Sequence, residues 1–247
     1  MADDAPAVQV TALRKAFGGH EVLRGLDLEV PAGEVFALLG ANGAGKTTTV
    51  SILTTLLKAD GGTARVAGFD VAREPARVRQ AVTVTGQSVA VDGVLTGLEN
   101  LTLIARLRHV PEPKRVAAGL AERFGLAEAA DRRAATYSGG MKRRLDIAMS
   151  LIGDPRVVFL DEPTTGLDPG GRREVWAAVE GLAALGTTII LTTQYMEEAA
   201  RLAGTVAVVH GGVAVETGRP EEILRAAGGA ADLETAFLRL TGQEEAP

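Results

Sequence analysis

A chain of 247 residues, 46% hydrophobic but only 4% aromatic, is long enough for one α/β domain whose core is built mainly from Leu, Val, Ile and Ala. The formal charge of −5, from 26 basic and 31 acidic side chains, argues against bulk electrostatic binding to nucleic acid or anionic lipid, and no nucleic-acid partner is expected. The absence of cysteine excludes disulfides and thiolate metal sites. No apolar run reaches membrane-span length, and Met1-Ala2-Asp3-Asp4-Ala5-Pro6 lacks the cationic, apolar pattern of a signal peptide. The expected compartment is therefore the cytoplasm, with any membrane association made through a partner.

Val8 to Val30 alternates apolar and polar residues around Gly18-Gly19, as antiparallel strands do. Phe17, just before the glycine pair, can stack on a purine base or simply pack. Val35 to Leu39 is an apolar strand. It runs into Gly40-Ala41-Asn42-Gly43-Ala44-Gly45-Lys46-Thr47-Thr48, which matches the phosphate-loop pattern G-x-x-x-x-G-K-[ST]. Glycines let the backbone wrap close to a ligand with its N–H groups inward, and the following helix turns its positive end to the same point. Lys46 can reach the β/γ-phosphates, and the Thr47 hydroxyl can coordinate Mg²⁺. Val50, Ile52, Leu53 and Leu56 have helical spacing after the loop.

Gly61-Gly62 breaks the chain before a short strand and turn, Thr63 to Val71. Pro75 to Gln80 reads as a short helix, and Ala81 to Thr85 as a strand ending in Gly86-Gln87. In isolation Gln87 reads as a turn amide. From Ser88 to Pro155 the character is helical. Thr96 and Glu99 form a capping box before Leu98, Leu101 and Ala105. Pro111 and Pro113 end that helix, and another runs from Lys114 to Phe124. Tyr137-Ser138-Gly139-Gly140 opens a third, with Met141, Leu145, Ala148, Met149 and Ile152 on one face. Val157 to Leu160 reads as a buried parallel strand ending in Asp161-Glu162-Pro163, followed by a helix from Gly171 to Leu185. Thr187 to Thr192 is another such strand, ending at Thr193-Gln194. Thr205 to Val209 and Val213 to Thr217 flank the hairpin signal Gly211-Gly212. Short helices follow at Pro220 and at Leu233 to Leu240.

Four expected strands thus end in groups suited to phosphate chemistry: the glycine loop, Gln87, Asp161-Glu162 and Gln194. Ligands of open α/β sheets sit beyond the carboxyl ends of the strands. Alone, Asp161-Glu162 would read as two solvated turn acids. Downstream of a phosphate loop, Asp161 fits a Mg²⁺ ligand acting through water, and Glu162 a base toward the attacking water. Ser138 is a good helix cap, yet Lys142, Arg143 and Arg144 occupy a first turn where the dipole disfavours cations. A bound anion would offset that conflict, making this helix end a second phosphate site.

The ordered set of phosphate loop, Gln87, Ser138-Gly139-Gly140, Asp161-Glu162, Leu167-Asp168 and the position after Thr193 resembles an ABC transporter ATPase subunit over essentially the whole chain. A narrower resemblance is to the daunorubicin-type drug-resistance branch. It rests on Ala90-Val91-Asp92, Thr96-Gly97-Leu98-Glu99-Asn100-Leu101, Tyr137 to Ala148, Leu191-Thr192-Thr193-Gln194-Tyr195, Leu233-Glu234 and Phe237-Leu238-Arg239-Leu240-Thr241-Gly242. The resemblance implies an α/β phosphate-loop NTPase fold spanning residues 1–247. It further implies an antiparallel β-subdomain at about 6–38 and 62–72 and an inserted α-helical subdomain at about 88–155. It implies ATP and Mg²⁺ as ligands, hydrolysis to ADP and phosphate, and a polytopic permease that docks near Gln87 on the cytoplasmic face of the membrane. Two subunits, here expected to be copies of one chain, would close head to tail. Each ATP would lie between one subunit's Gly40–Thr48 loop and the other's Ser138-Gly139-Gly140. Phe17 would pack on adenine, Gln87 would touch Mg²⁺, and Asp168 would act across the interface.

Two positions depart from the family pattern. Met141 replaces a Gln, which removes a side-chain amide but not the backbone phosphate site. Gln194 replaces a His at the switch position; it can donate to a γ-phosphate but cannot carry charge. His20, His109 and His210 fall outside these motifs and read as incidental. The main expectation is a drug- or antibiotic-exporting ATPase subunit. The alternatives are a soluble ABC-type ATPase on DNA or ribosomes, against which stand the single cassette and net negative charge, and a weakly hydrolysing ATP sensor, suggested only by Gln194.

Overall fold

A computed structural model describes residues 5–86 and 89–243. The first strands are β1 (Val8–Phe17), β2 (His20–Val30), β4 (Gly61–Val66) and β5 (Phe69–Asp70), which form an antiparallel sheet in the order β2-β1-β4-β5. Alternation puts Val8, Val10 and Leu13 inside. The spacing slips by one at Ala12, which has φ +49° and donates its N–H to Asp27 Oδ1 at 2.8 Å; this bulge turns Leu13 inward.

The second sheet holds β3 (Val35–Leu39), β6 (Val82–Thr85), β7 (Val157–Asp161), β8 (Thr188–Thr193), β9 (Thr205–His210) and β10 (Val213–Gly218), in the order β10-β9-β3-β8-β7-β6. All its pairings are parallel except β9–β10. Every residue of β3, β7 and β8 is buried, which explains their unbroken apolar runs. Successive residues feed opposite faces. Phe36, Leu38, Phe159 and Ile190 join one core with the antiparallel sheet. Ala37, Leu39, Leu160 and Leu191 join the other, which the remaining helices cover.

The helices are α1 (Lys46–Leu53), α2 (Pro75–Ala81), α3 (Gly97–Leu107), α4 (Pro113–Arg123), α5 (Gly139–Ser150), α6 (Pro169–Ala183), α7 (Met196–Leu202), α8 (Pro220–Ala226) and α9 (Leu233–Leu240). The capping box of α3 is present: Thr96 Oγ1 accepts from Glu99 N at 3.1 Å and Glu99 Oε2 accepts from Thr96 N at 2.8 Å. α1 stops before Leu56, contrary to the helical spacing read above. Thr54 Oγ1 donates back to Val50 O, Thr55 turns to φ +64°, and Leu56 is left 71% exposed. α7 was not foreseen. Its Met196, Ala199 and Leu202 have helical spacing, but the segment is short, and it carries the fully buried Glu198. Among the described residues no helix is long and apolar enough to cross a membrane.

Candidate nucleotide site

The register of the parallel sheet aligns the chemical groups. Leu39 pairs with Thr193, Asp161 with Thr192, and Thr85 with Leu160, so β3, β6, β7 and β8 end at one edge. Gly40 N donates to Thr193 O at 3.1 Å, which fixes the start of the glycine loop on the end of β8. Gly45 adopts φ +106°, and a Cβ there would come within 2.6 Å of Leu23 Cδ2. The loop thus needs glycine both for backbone conformation and to lie against β2. Gly45 caps α1 without any side-chain bond, so the first N–H groups of that helix remain available to an anion.

Lys46 is 4% exposed. Its Nζ donates to Gly40 O at 2.8 Å and Ala41 O at 3.1 Å, and lies 3.7 Å from Glu162 Oε1. Burial pushes its ammonium below the usual lysine range, while Glu162 and Asp161 pull it back. The Thr47 hydroxyl donates to Asp161 Oδ1 at 3.2 Å, and Thr192 donates to the same oxygen. Thr192 Oγ1 also accepts from Glu162 N at 3.0 Å. Glu162 has φ +47°, a conformation that a non-glycine residue adopts at a cost. Its single N–H, shared between Thr192 O and Thr192 Oγ1, and the Thr165 hydroxyl on Oε2 hold it there and aim its carboxylate back at Lys46. The solvated-turn reading of these two acids is thereby removed.

A cleft of ≈ 590 Å³ opens over this group, lined by Asn42, Gly43, Gly45, Lys46, Thr47, Thr48 and Glu162 together with His20 and Val22. His20 is a correction to the reading of the histidines as incidental. Phe17 pairs with His20 across the hairpin turn, which carries the imidazole to the cleft mouth. The hairpin register was the available signal. Phe17 is 49% exposed with Lys15 Nζ 5.4 Å from its ring centroid, so it does not pack in the core. Gln194 follows β8 half-buried, outside the lining of the cleft, and its side chain has no hydrogen-bond partner among the described residues. Gln87 lies outside the described residues.

Ser138 caps α5, its Oγ accepting from Met141 N at 3.2 Å. A Cβ on Gly140 would meet Glu174 Oε2 at 2.9 Å and Gly171 Cα at 3.0 Å, so this glycine lets α5 lie directly on α6. Asp168 caps α6, accepting from Gly171 N at 3.0 Å. Two of the three first-turn cations of α5 have partners within the chain. Arg143 turns inward to backbone carbonyls and Asp146. Arg144 reaches Phe124 O at 2.6 Å, Gly125 O at 3.2 Å and Glu174 Oε2 at 3.1 Å.

A glycine loop on a buried parallel strand, a lysine and threonine at the head of the next helix, and an aspartate opposite them define a phosphate-loop nucleotide-binding domain. The family model "ABC transporter" matches residues 23–165. The daunorubicin resistance ATP-binding protein DrrA2 of Streptomyces coeruleorubidus is 51% identical over 228 residues, covering 92% of this chain and 71% of that protein. The daunorubicin/doxorubicin resistance ATP-binding protein DrrA of Streptomyces peucetius is 50% identical over 219 residues, covering 88% of this chain and 66% of its own length. A solved ATP-binding subunit of an ABC transporter superposes with a TM-score of 0.82 at 27% identity, covering 95% of this chain and 99% of that one. The chain belongs to the ABC transporter family, as an ATP-binding subunit, and its α/β fold is the fold of that family.

Proposed function

We propose that this chain hydrolyses ATP to ADP and phosphate, with Mg²⁺, as half of a head-to-tail dimer that drives export of drug-like or antibiotic molecules through a separate polytopic permease. The observation that carries the reading is the meeting of Lys46 and Thr47 from α1 with Asp161 at the end of β7 and Glu162 just after it, within hydrogen-bond and ion-pair distance. The residues fit the substrate. Lys46 is held by two loop carbonyls that a γ-phosphate would replace, above a cleft large enough for a nucleotide. They also fit the metal. The Thr47 hydroxyl and Asp161 carboxylate face each other, and no cluster of three or more acidic or imidazole ligands exists among the described residues. Mg²⁺ suits such a place, since it binds through one or two protein groups, waters and substrate phosphates, and would neutralise charge on the β- and γ-oxygens.

Lys46 would stabilise charge on the transferred phosphoryl group, Glu162 would orient and deprotonate the attacking water, and Gln194 would donate to the γ-phosphate. Phe17 would stack on adenine, with His20 at the mouth. Gln87 would complete the metal surroundings. Ser138, Gly139 and Gly140 would close over the nucleotide of the second subunit, with Asp168 at the same interface. The antiparallel sheet and the segment carrying α3 to α5 are proposed as subdomains flanking the six-stranded core. The permease is assigned to the hollow of ≈ 300 Å³ between the end of β6 and Ala90, where Val84 and Leu107 line a surface with Ile104. Leu107 is 65% exposed there, which suits an apolar partner. That docking would hold the chain at the cytoplasmic face of the membrane. The names of the two Streptomyces relatives support a role in drug resistance.

Phosphate release by the purified chain, with Mg²⁺ and with the metal chelated, tests this. Metal-dependent release that rises with protein concentration is expected. ATP binding without release in either condition would instead support the sensor reading.

A further inference from the structure

The Arg143–Asp146 pair is an ion pair with unusual placement. The two side chains are one turn apart on α5, 3.2 Å from each other, and both are almost fully buried. Arg143 Nε donates to Pro163 O at 2.9 Å and Nη2 to Asp161 O at 3.3 Å, the carbonyls on either side of Glu162. Arg143 Nη1 donates to Gly86 O at 2.8 Å, and Asp146 Oδ1 accepts from Ala90 N at 3.2 Å, on either side of residues 87–88. The pair therefore holds both flanks of Glu162 and the backbone at Gly86 and Ala90. It does so from the helix whose first residues are Ser138-Gly139-Gly140.

Burial pushes the Arg143 guanidinium down and the Asp146 carboxyl up, each opposed chiefly by the other. An apolar pair of similar volume would hold a core as well or better, so packing alone gives no reason for these charges. Their geometry gives one. A planar fork with five donors can tie three backbone carbonyls at fixed angles, which no apolar side chain does. Asp146 also lines the hollow assigned above to the permease, and Arg143 lines a small hollow shared by Gly139 and Glu162.

We propose that Arg143 and Asp146 are positioning residues that couple α5 to the chain's own reaction centre. A shift of α5, imposed by the nucleotide of a second subunit or by the permease, moves the Asp161–Glu162–Pro163 corner, and Gly86 and Ala90, with it. The inference rests on the proposed dimeric hydrolysis, and goes beyond it by naming the mechanical link. The link predicts that breaking the pair lowers turnover while ATP binding to a single chain is preserved, since neither side chain enters the cleft.

The test uses the whole chain with R143M/D146L, which removes both charges together, and R143K, which keeps the charge but loses the fork. Fluorescent-ATP titration measures binding to the monomer, phosphate release gives kcat and KM, and light scattering follows ATP-induced dimerisation in an added E162Q background. Expected for either folded variant are monomer affinity within about twofold of the parent, kcat lowered about tenfold or more, and ATP-induced dimers weakened about tenfold. R143K keeps the experiment informative if the double variant does not fold. Parental kcat and parental dimerisation in a folded variant would overturn the coupling role and leave the proposed function standing. Lost nucleotide affinity in R143K would also overturn it, because the residue would then act on the cleft. A parent chain that neither hydrolyses ATP nor dimerises would overturn both.

Discussion

Lys46 Nζ stands 3.7 Å from Glu162 Oε1, a buried cation joining the head of α1 to the corner after β7. The ammonium rests on loop carbonyls while the carboxylate, held in a left-handed backbone conformation, points at it from the adjacent strand end. In the proposed function a phosphate entering between them takes the lysine and leaves the carboxylate to the attacking water. Binding and hydrolysis are thus assigned to different members of one contact, and the two should separate on mutation.

Lys46→Ala removes the cation from the loop. ATP affinity is expected to fall about 100-fold or more, ~2.7 kcal/mol at the usual conversion, measured by calorimetric titration. Unchanged affinity would show that the loop backbone alone holds the phosphates.

Glu162→Gln keeps the shape and the Thr165 contact but removes the proposed base. kcat is expected to fall roughly 10²- to 10⁴-fold with ATP affinity kept or tightened, read from single-turnover phosphate release. Turnover at the parental rate would assign the water to another group.

How much of this was legible in the sequence follows from what is local. The glycine loop, the α3 capping box and the Ser138 cap depend on residues three or four apart, and all appear as read. The buried strands announced themselves because helices and a second sheet cover both faces, leaving no polar alternation. What was missed is set by distant partners. Arg143 reads as a misplaced first-turn cation until Gly86, Asp161 and Pro163 arrive from other strand ends. Glu198, on a helix not read from the sequence, is buried because Thr164 and Trp176 donate to its Oε1. His20 reaches the cleft only through the register of β1 with β2. The early end of α1 depends on a threonine bonding back to its own helix, a competition that periodicity does not register.

Gln194→Ala tests the uncharged switch. Gln194 sits at the end of β8, next to the strand that carries Asp161. Its amide is expected to matter only once phosphate is bound. kcat should drop about tenfold or more while monomer affinity for ATP changes less than about twofold. Equal ATPase rates for variant and parent would make Gln194 a bystander.

Asp60 ties down the strand that ends in Phe17: it accepts from Lys15 Nζ at 2.7 Å and Ala16 N at 2.8 Å. Lys15 first, then the Ala16 N–H, hold its carboxyl below the ordinary value of 3.8. Because the folded value is depressed, the stabilisation is present above 3.8 and is lost as pH falls through the folded value. Asp60→Asn should therefore melt below the parent at neutral pH, with the gap closing in acid. Thermal melts across that range check it; a gap that persists in acid would mean the carboxylate charge is not involved. ATP affinity should weaken modestly as the Phe17 end of the hairpin loosens.

The central claim is a site shared by two chains, and light scattering of Glu162→Gln with Mg-ATP tests it most directly. The account predicts that the mass doubles from 25.6 kDa on adding ATP. It also predicts that Ser138→Arg in the same background binds ATP but stays monomeric. A mass that does not change with ATP, or a Ser138→Arg variant that dimerises like its parent, would contradict it.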